Sequence, residues 1–177
     1  MNRTAIIEQL QIHHSEFRHL LGSLSQTDYL AAPEGKWSAG QQLDHICRSV
    51  GPVSMAFGLP GFVLRWWFGK ANRPSRAYEA VVEKYKAKLA EGGRASGRFV
   101  PPKAEWHERE KLLRRLERLV ASLCQKVENT SDSQLDTLIL PHPLLGKLTL
   151  REMLFFTIYH VQHHQVATVQ NAASRVR

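Results

Sequence analysis

Cysteine is scarce: Cys47 and Cys124 stand far apart, sit in apolar helical patterns and form no C-x-x-C unit. That argues against a disulfide framework and a thiolate metal centre, and makes the reducing cytoplasm the expected compartment. Long apolar runs are missing as well. The longest, "FGLPGFVLRWWFG", is interrupted by Pro60, Gly61 and Arg65, well short of the roughly 20 residues a spanning helix requires. No transmembrane segment is expected. The opening "MNRTAIIEQLQIHHSEF" puts charged and polar residues where an export signal needs an apolar centre. Gly and Pro gather in a few places instead of recurring regularly, and neither an internal repeat nor a low-complexity tract is present, so an all-β chain is not expected.

What is present is helical periodicity. The 177 residues fit one domain, 1–177. Ile6, Ile7, Leu10, His14, Phe17, Leu20, Leu21 and Leu24 recur at spacings of three and four, giving an amphipathic helix over about residues 3–24. Ser38 to Gln41 is an S-x-x-Q capping box, so a second helix starts there and runs to about Phe57. Leu112, Leu113, Leu116, Leu119, Val120, Leu123 and Val127 mark a third, laced with Glu and Arg on its outer face. A second capping box, Thr149 to Glu152, follows the Pro and Gly loop "PHPLLGK" and opens a fourth helix reaching about Ala172. With no strand pattern of any length, the expected fold is all-α, a four-helix bundle. A long irregular insertion, holding one short helix at about residues 75–90, separates the second main helix from the third.

That insertion is basic. Residues 61–98 carry nine Lys and Arg against three Glu, which is most of the net charge of +8. Such a patch can attract an anionic substrate, a membrane surface or nucleic acid, or simply be solvated. A nucleic-acid partner is disfavoured: no helix-turn-helix, RNP or zinc-finger signature accompanies the basic pI, and Glu108, Glu110 and Glu117 balance the third helix.

The stretch "YHVQHHQ", residues 159–165, holds three histidines in five positions. On a helical wheel of about 100° per residue, Met153, Thr157, His164 and Ala167 fall within about 60° of His160, while Arg151, Gln162 and Gln165 lie on the far side. His160 and His164 therefore point inward, and His163 sits at the edge of the buried arc. Residues four apart stack one turn above the other, so two imidazoles can reach one metal ion. The absence of Glu after His160 rules out the H-E-x-x-H reading. Core histidines bonded to Ser, Asp or water are the alternative to ligation. His45 lies away from the Leu43 and Val50 side, on a flank it shares with the small residues Ser49, Pro52 and Ala56. Periodicity leaves it open between ligand and surface residue. His13, His14 and His19 read as solvent or satisfied partial-core residues, and His142 as a loop or pocket-rim residue.

"KWSAGQQLDHI", "FVPPK" and "HPLLGKLTLREMLFFTIYHVQHH", taken together and in this order, resemble the DinB-like family, the DinB and YfiT-like metalloenzymes. The resemblance implies a four-helix bundle with a divalent metal, often zinc or nickel, held by His45 of the second helix and His160 and His164 of the fourth. Three imidazoles leave open positions on the ion, the arrangement of a catalytic site. The resemblance further implies thiol-dependent transferase or isomerase chemistry with a low-molecular-weight thiol as cosubstrate. With the open site, the leading expectation is a thiol-dependent S-transferase or a hydrolase acting on a small-molecule substrate through a metal-activated thiolate or water. The alternative class is a non-catalytic metal-binding or stress-associated interaction protein, with homodimerisation through bundle surfaces. His163, Tyr159 and Trp37 are candidate pocket groups, each with an equally plain packing role. Trp66, Trp67 and Phe68 are expected to cap the bundle core.

Overall fold

The computed structural model describes residues 1–173, so the last four positions of the expected 1–177 domain lie outside the described residues. Four long helices form the bundle: α1 (Arg3–Ser23), α3 (Ala39–Ala56), α6 (Arg109–Glu128) and α8 (Leu150–Ala173). Helices α6 and α8 each pack against both α1 and α3, which places α1 diagonally across from α3. Each buries the stripe its periodicity prescribes; in α1 this is Ile6, Leu10, His14, Phe17 and Leu21. Both capping boxes form. Ser38 Oγ accepts from the Gln41 amide while Gln41 Oε1 accepts from the Ser38 amide. Thr149 and Glu152 make the same reciprocal pair at the start of α8.

Short helices α2 (Gln26–Leu30) and α7 (Asp132–Thr137) turn the chain between the long ones. Contrary to the expectation of a strandless chain, β1 (Ile139–His142) and β2 (Gly146–Thr149) form an antiparallel hairpin in register Ile139 to Thr149 through His142 to Gly146. Its turn is secured twice over. Gly146 adopts φ +74° without a Cβ penalty, and Nδ1 of His142 accepts from the amides of Leu144 and Leu145, each at 3.1 Å. Four-residue strands containing Pro141 and Gly146 have little periodicity of their own; tertiary pairing makes them.

The insertion is more ordered than its composition suggested, holding two helices, α4 (Gly61–Phe68) and α5 (Tyr78–Ala90). Helix α5 packs along α8. It starts at Tyr78, not near Ser75, because residues 73–76 are tied to the start of α8. Arg73 grips the fully buried Glu152 with two hydrogen bonds of 2.5 and 2.8 Å, and the Arg76 amide donates to the same carboxylate at 2.7 Å. Burial alone would raise the Glu152 pKa, but Arg73 and the amides of Arg76 and Thr149 outweigh it and hold the carboxyl below its ordinary value.

Helix α4 corrects another expectation. Its buried residue is Leu64, and Trp66, two positions and about 200° further round, is 81% exposed; Trp67 is 56% exposed. Only the partly buried Phe68 packs on the core. No single described helix is long and apolar enough to cross a membrane; α3 and α4 reach that measure only jointly, across a 109° bend.

Candidate metal centre

Helix α3 presents His45 one turn after Gln42, and α8 presents His160 and His164 one turn apart. All three histidines are buried, and each offers a ring nitrogen such that the three lie within 4.8 Å of one another. Nε2 of His160 lies 3.2 Å from Nε2 of His45 and 3.0 Å from Nε2 of His164. The surface alternative for His45 is thus overturned, for a reason its own helix could not supply. Residues 97–99 fold over it, and Phe99 O accepts from His45 Nδ1 at 2.7 Å.

The opposite ring nitrogens decide the chemistry. A carbonyl oxygen can only accept, so the proton of His45 is on Nδ1. His164 Nδ1 likewise donates to the amide oxygen of Gln42. Nε2 of both rings therefore presents a lone pair toward Nε2 of His160, which can supply one proton at most. Three nitrogens converge with too few hydrogens between them, and a buried lone pair left facing another costs on the order of 1–3 kcal/mol. A cation removes the conflict. With zinc–nitrogen bonds of about 2.0–2.1 Å, imidazoles on one ion have nitrogens about 2.8–3.4 Å apart at angles between 90° and tetrahedral, a range that contains both observed separations. The donor set thus fits a divalent ion of the kind imidazole suits, such as zinc or nickel.

Electrostatics agrees. Burial pushes His160 and His164 well below the ordinary histidine pKa, and the neighbouring imidazoles push them further. Burial also lowers His45, against the opposing pull of the Phe99 carbonyl and Asp44. The rings are accordingly neutral, which is the ligating form. Asp44 does not join them; its carboxylate is engaged by Arg48 at 2.7 Å and faces Arg115 at 3.9 Å.

The cluster opens on a cavity of about 1010 Å³. Ser49, Pro52 and Ala56, the small flank beside His45, border it as the wheel suggested. Trp37 lines it too, its ring 4.8 Å from that of His45 and 6.2 Å from that of His164. His163 lines the cavity and packs edge-on to His164 at 5.2 Å, whereas Tyr159 packs beside Tyr85 outside the lining. His142 is a wall residue, its ring 4.2 Å from Phe156 and its pKa lowered to about 4, first by burial and then by Lys84. The remaining histidines stay apart: His14 is buried within α1, His13 bonds Gln9 and Glu16, and His19 and His107 are exposed.

Three groups at this centre escaped sequence reasoning. Gln42 had one signal, its place a turn before His45 on the same helix. Phe99 acts through its backbone and had none. Tyr85 of α5 meets the rings of Phe156 and His160 edge-on at 5.1 and 5.9 Å, a contact that depends on where the insertion docks.

A solved structure of similar fold is that of TT2238, a four-helix bundle protein, matched with a TM-score of 0.58 and 16% identity over 96% of this chain and 98% of that one. No curated protein matches. The model of the DinB superfamily matches residues 9–166, a span that includes both capping boxes, the hairpin and all three clustered histidines. The chain belongs to the DinB superfamily.

Proposed function

We propose that the protein is a metal-dependent enzyme in which His45, His160 and His164 hold one divalent ion, zinc or nickel, and act on a small-molecule substrate by thiol-dependent S-transfer or by hydrolysis. The observation that carries this reading is the convergence of three Nε2 atoms, two of them held as lone-pair bearers by Phe99 and Gln42. An ion bound by three neutral imidazoles lowers the pKa of a coordinated thiol or water and so supplies a nucleophile near neutral pH. The chain's own contribution is orientation and enclosure. Gln42 and Phe99 fix the rings, Trp37 and Tyr85 pack against them, and the cavity gives a substrate a largely apolar berth.

Elemental analysis of protein purified without chelator, beside His45→Ala and His160→Ala, tests the ion. About one divalent ion per chain is expected in the parent and a large loss in both variants. Equal contents in all three would rule out the centre. A screen of low-molecular-weight thiols against electrophilic substrates, with and without chelator, then tests turnover.

The exposed Met55, Phe62, Trp66 and Trp67 favour a second reading, a metal-binding interaction protein that uses this surface for a partner and has no turnover. Chelator-sensitive thiol transfer or hydrolysis in that screen decides against it.

A further inference from the structure

The cavity beside the histidines carries charge of one sign. Lys36, Arg94 and Arg98 are the charged residues that line it, and neither Asp nor Glu does so among the described residues. All three are exposed, and none has a carboxylate partner among the described ion pairs. Arg94 uses one donor on the carbonyl of Gly93, and the Arg98 guanidinium lies over the ring of Phe99 at 5.2 Å, leaving most of their N–H groups for a ligand.

Their placement ties the charge to the centre. Arg98 immediately precedes Phe99, whose carbonyl holds His45, and its own carbonyl is held by Arg48 at 3.1 Å. Lys36 precedes Trp37, which packs on His45 and His164. Arg94 follows Gly93, which lines the cavity together with Leu144 of the hairpin turn. Low-dielectric walls focus the field of such groups into the space they line, and cations without carboxylate partners along one cavity favour an anion within it.

We infer that the substrate is an amphipathic anion. Its carboxylate or other anionic group is held by Arg94 and Arg98 with support from Lys36, and its apolar body lies against Trp37 and Phe156 within reach of the three imidazoles. This inference rests on the enzymatic reading of the same cavity. Guanidinium groups suit the anion because they offer paired donors in a planar fork. The volume accommodates a body of several rings.

The test compares 2-naphthoate with 2-naphthamide, which share an apolar body and differ in charge, by titration calorimetry on the full chain with the metal stripped by chelator. Naphthoate is expected to bind about tenfold tighter or better, with the margin shrinking as salt is raised. The paired variant Arg94→Gln/Arg98→Gln should remove most of that margin while leaving naphthamide affinity and the thermal melt unchanged. Equal affinity of the parent for both probes overturns the inference, and so does a margin that survives in the variant. Because the chelated parent is used, the result separates from the metal question. If His160→Ala keeps its full ion content while the parent still prefers naphthoate, the metal reading falls and the anion site stands. If the ion is lost in that variant while the two probes bind alike, the reverse holds.

Discussion

The amide oxygen of Gln42 accepts a hydrogen bond from Nδ1 of His164 across 122 positions of sequence. The bond joins the helix that carries His45 to the helix that carries the other two imidazoles, and it sets the tautomer of His164. Outer partners of this kind tune metal affinity by about 10–100-fold. Gln42→Leu should therefore retain the fold and weaken ion binding within that range, read by competition with a chromophoric chelator. Unchanged affinity would mean that His164 needs no help to orient.

His14 provides a pH dependence separate from the candidate centre. It is buried on the inner face of α1, with Nδ1 bonded to Leu10 O at 2.8 Å and Nε2 without a partner among the described residues. Burial, the largest cause, lowers its pKa from 6.5 to about 4. Above pH 6.5 the ring is neutral whether the chain is folded or not, and it has no effect on the pH slope. Between about 6.5 and 4 the unfolded chain takes up the proton and the folded one does not, so stability falls as the pH falls. The loss from this residue is on the order of 3 kcal/mol across that window. Urea midpoints at pH 7.5, 6 and 5 should show a shallower slope in His14→Leu than in the parent.

Glu152 offers a test of how the insertion is anchored. Its carboxylate is fully buried and meets Arg73, Arg76 and two backbone amides. Arg73→Met leaves the charge enclosed with its strongest partner gone, a change expected to cost about 3 kcal/mol in chemical denaturation. Limited proteolysis should then cut first within residues 69–77.

Gly40 and Gly51 lie on the same helix and should respond very differently to alanine. A Cβ at Gly40 would lie 2.5 Å from Cε1 of Tyr29 and 2.6 Å from Cβ of Ala104. Tyr29 is fully buried against Trp106 with ring centroids 5.5 Å apart, so it has nowhere to retreat. Gly40→Ala is expected to destabilise by about 1–3 kcal/mol. At Gly51 a Cβ meets nothing within 4 Å beyond its chain neighbours; Gly51→Ala should change stability by less than about 1 kcal/mol, because the gain in helix propensity is opposed by crowding against the Pro52 ring. The thermal melt of Gly40→Ala should fall well below that of Gly51→Ala.

Much of this architecture is local in origin and therefore readable along the chain. The stripe Ile6, Leu10, His14, Phe17, Leu21 names its own buried face, and the two capping boxes mark where α3 and α8 begin. His160 and His164 belong to the same kind of information: a spacing of four on one helix puts two rings on one line whatever surrounds them. Helix α4 and the hairpin were not readable in this way. Eight residues with one buried side chain, and four-residue strands interrupted by Pro141 and Gly146, owe their form to what they pack against.

His45 marks the division most clearly. Its own helix could state only which way the ring points, not what would cover it. The cover comes from Phe99, 54 positions on, and from His160, 115 positions on. The sequence by itself determined the four long helices, their buried faces and the inward pair on α8. Tertiary structure decided that a third imidazole meets that pair and that the meeting point opens on a cavity whose lining includes Lys36, Arg94 and Arg98. The physical reason is range: helical periodicity acts over a few residues, whereas convergence depends on which faces dock across the bundle.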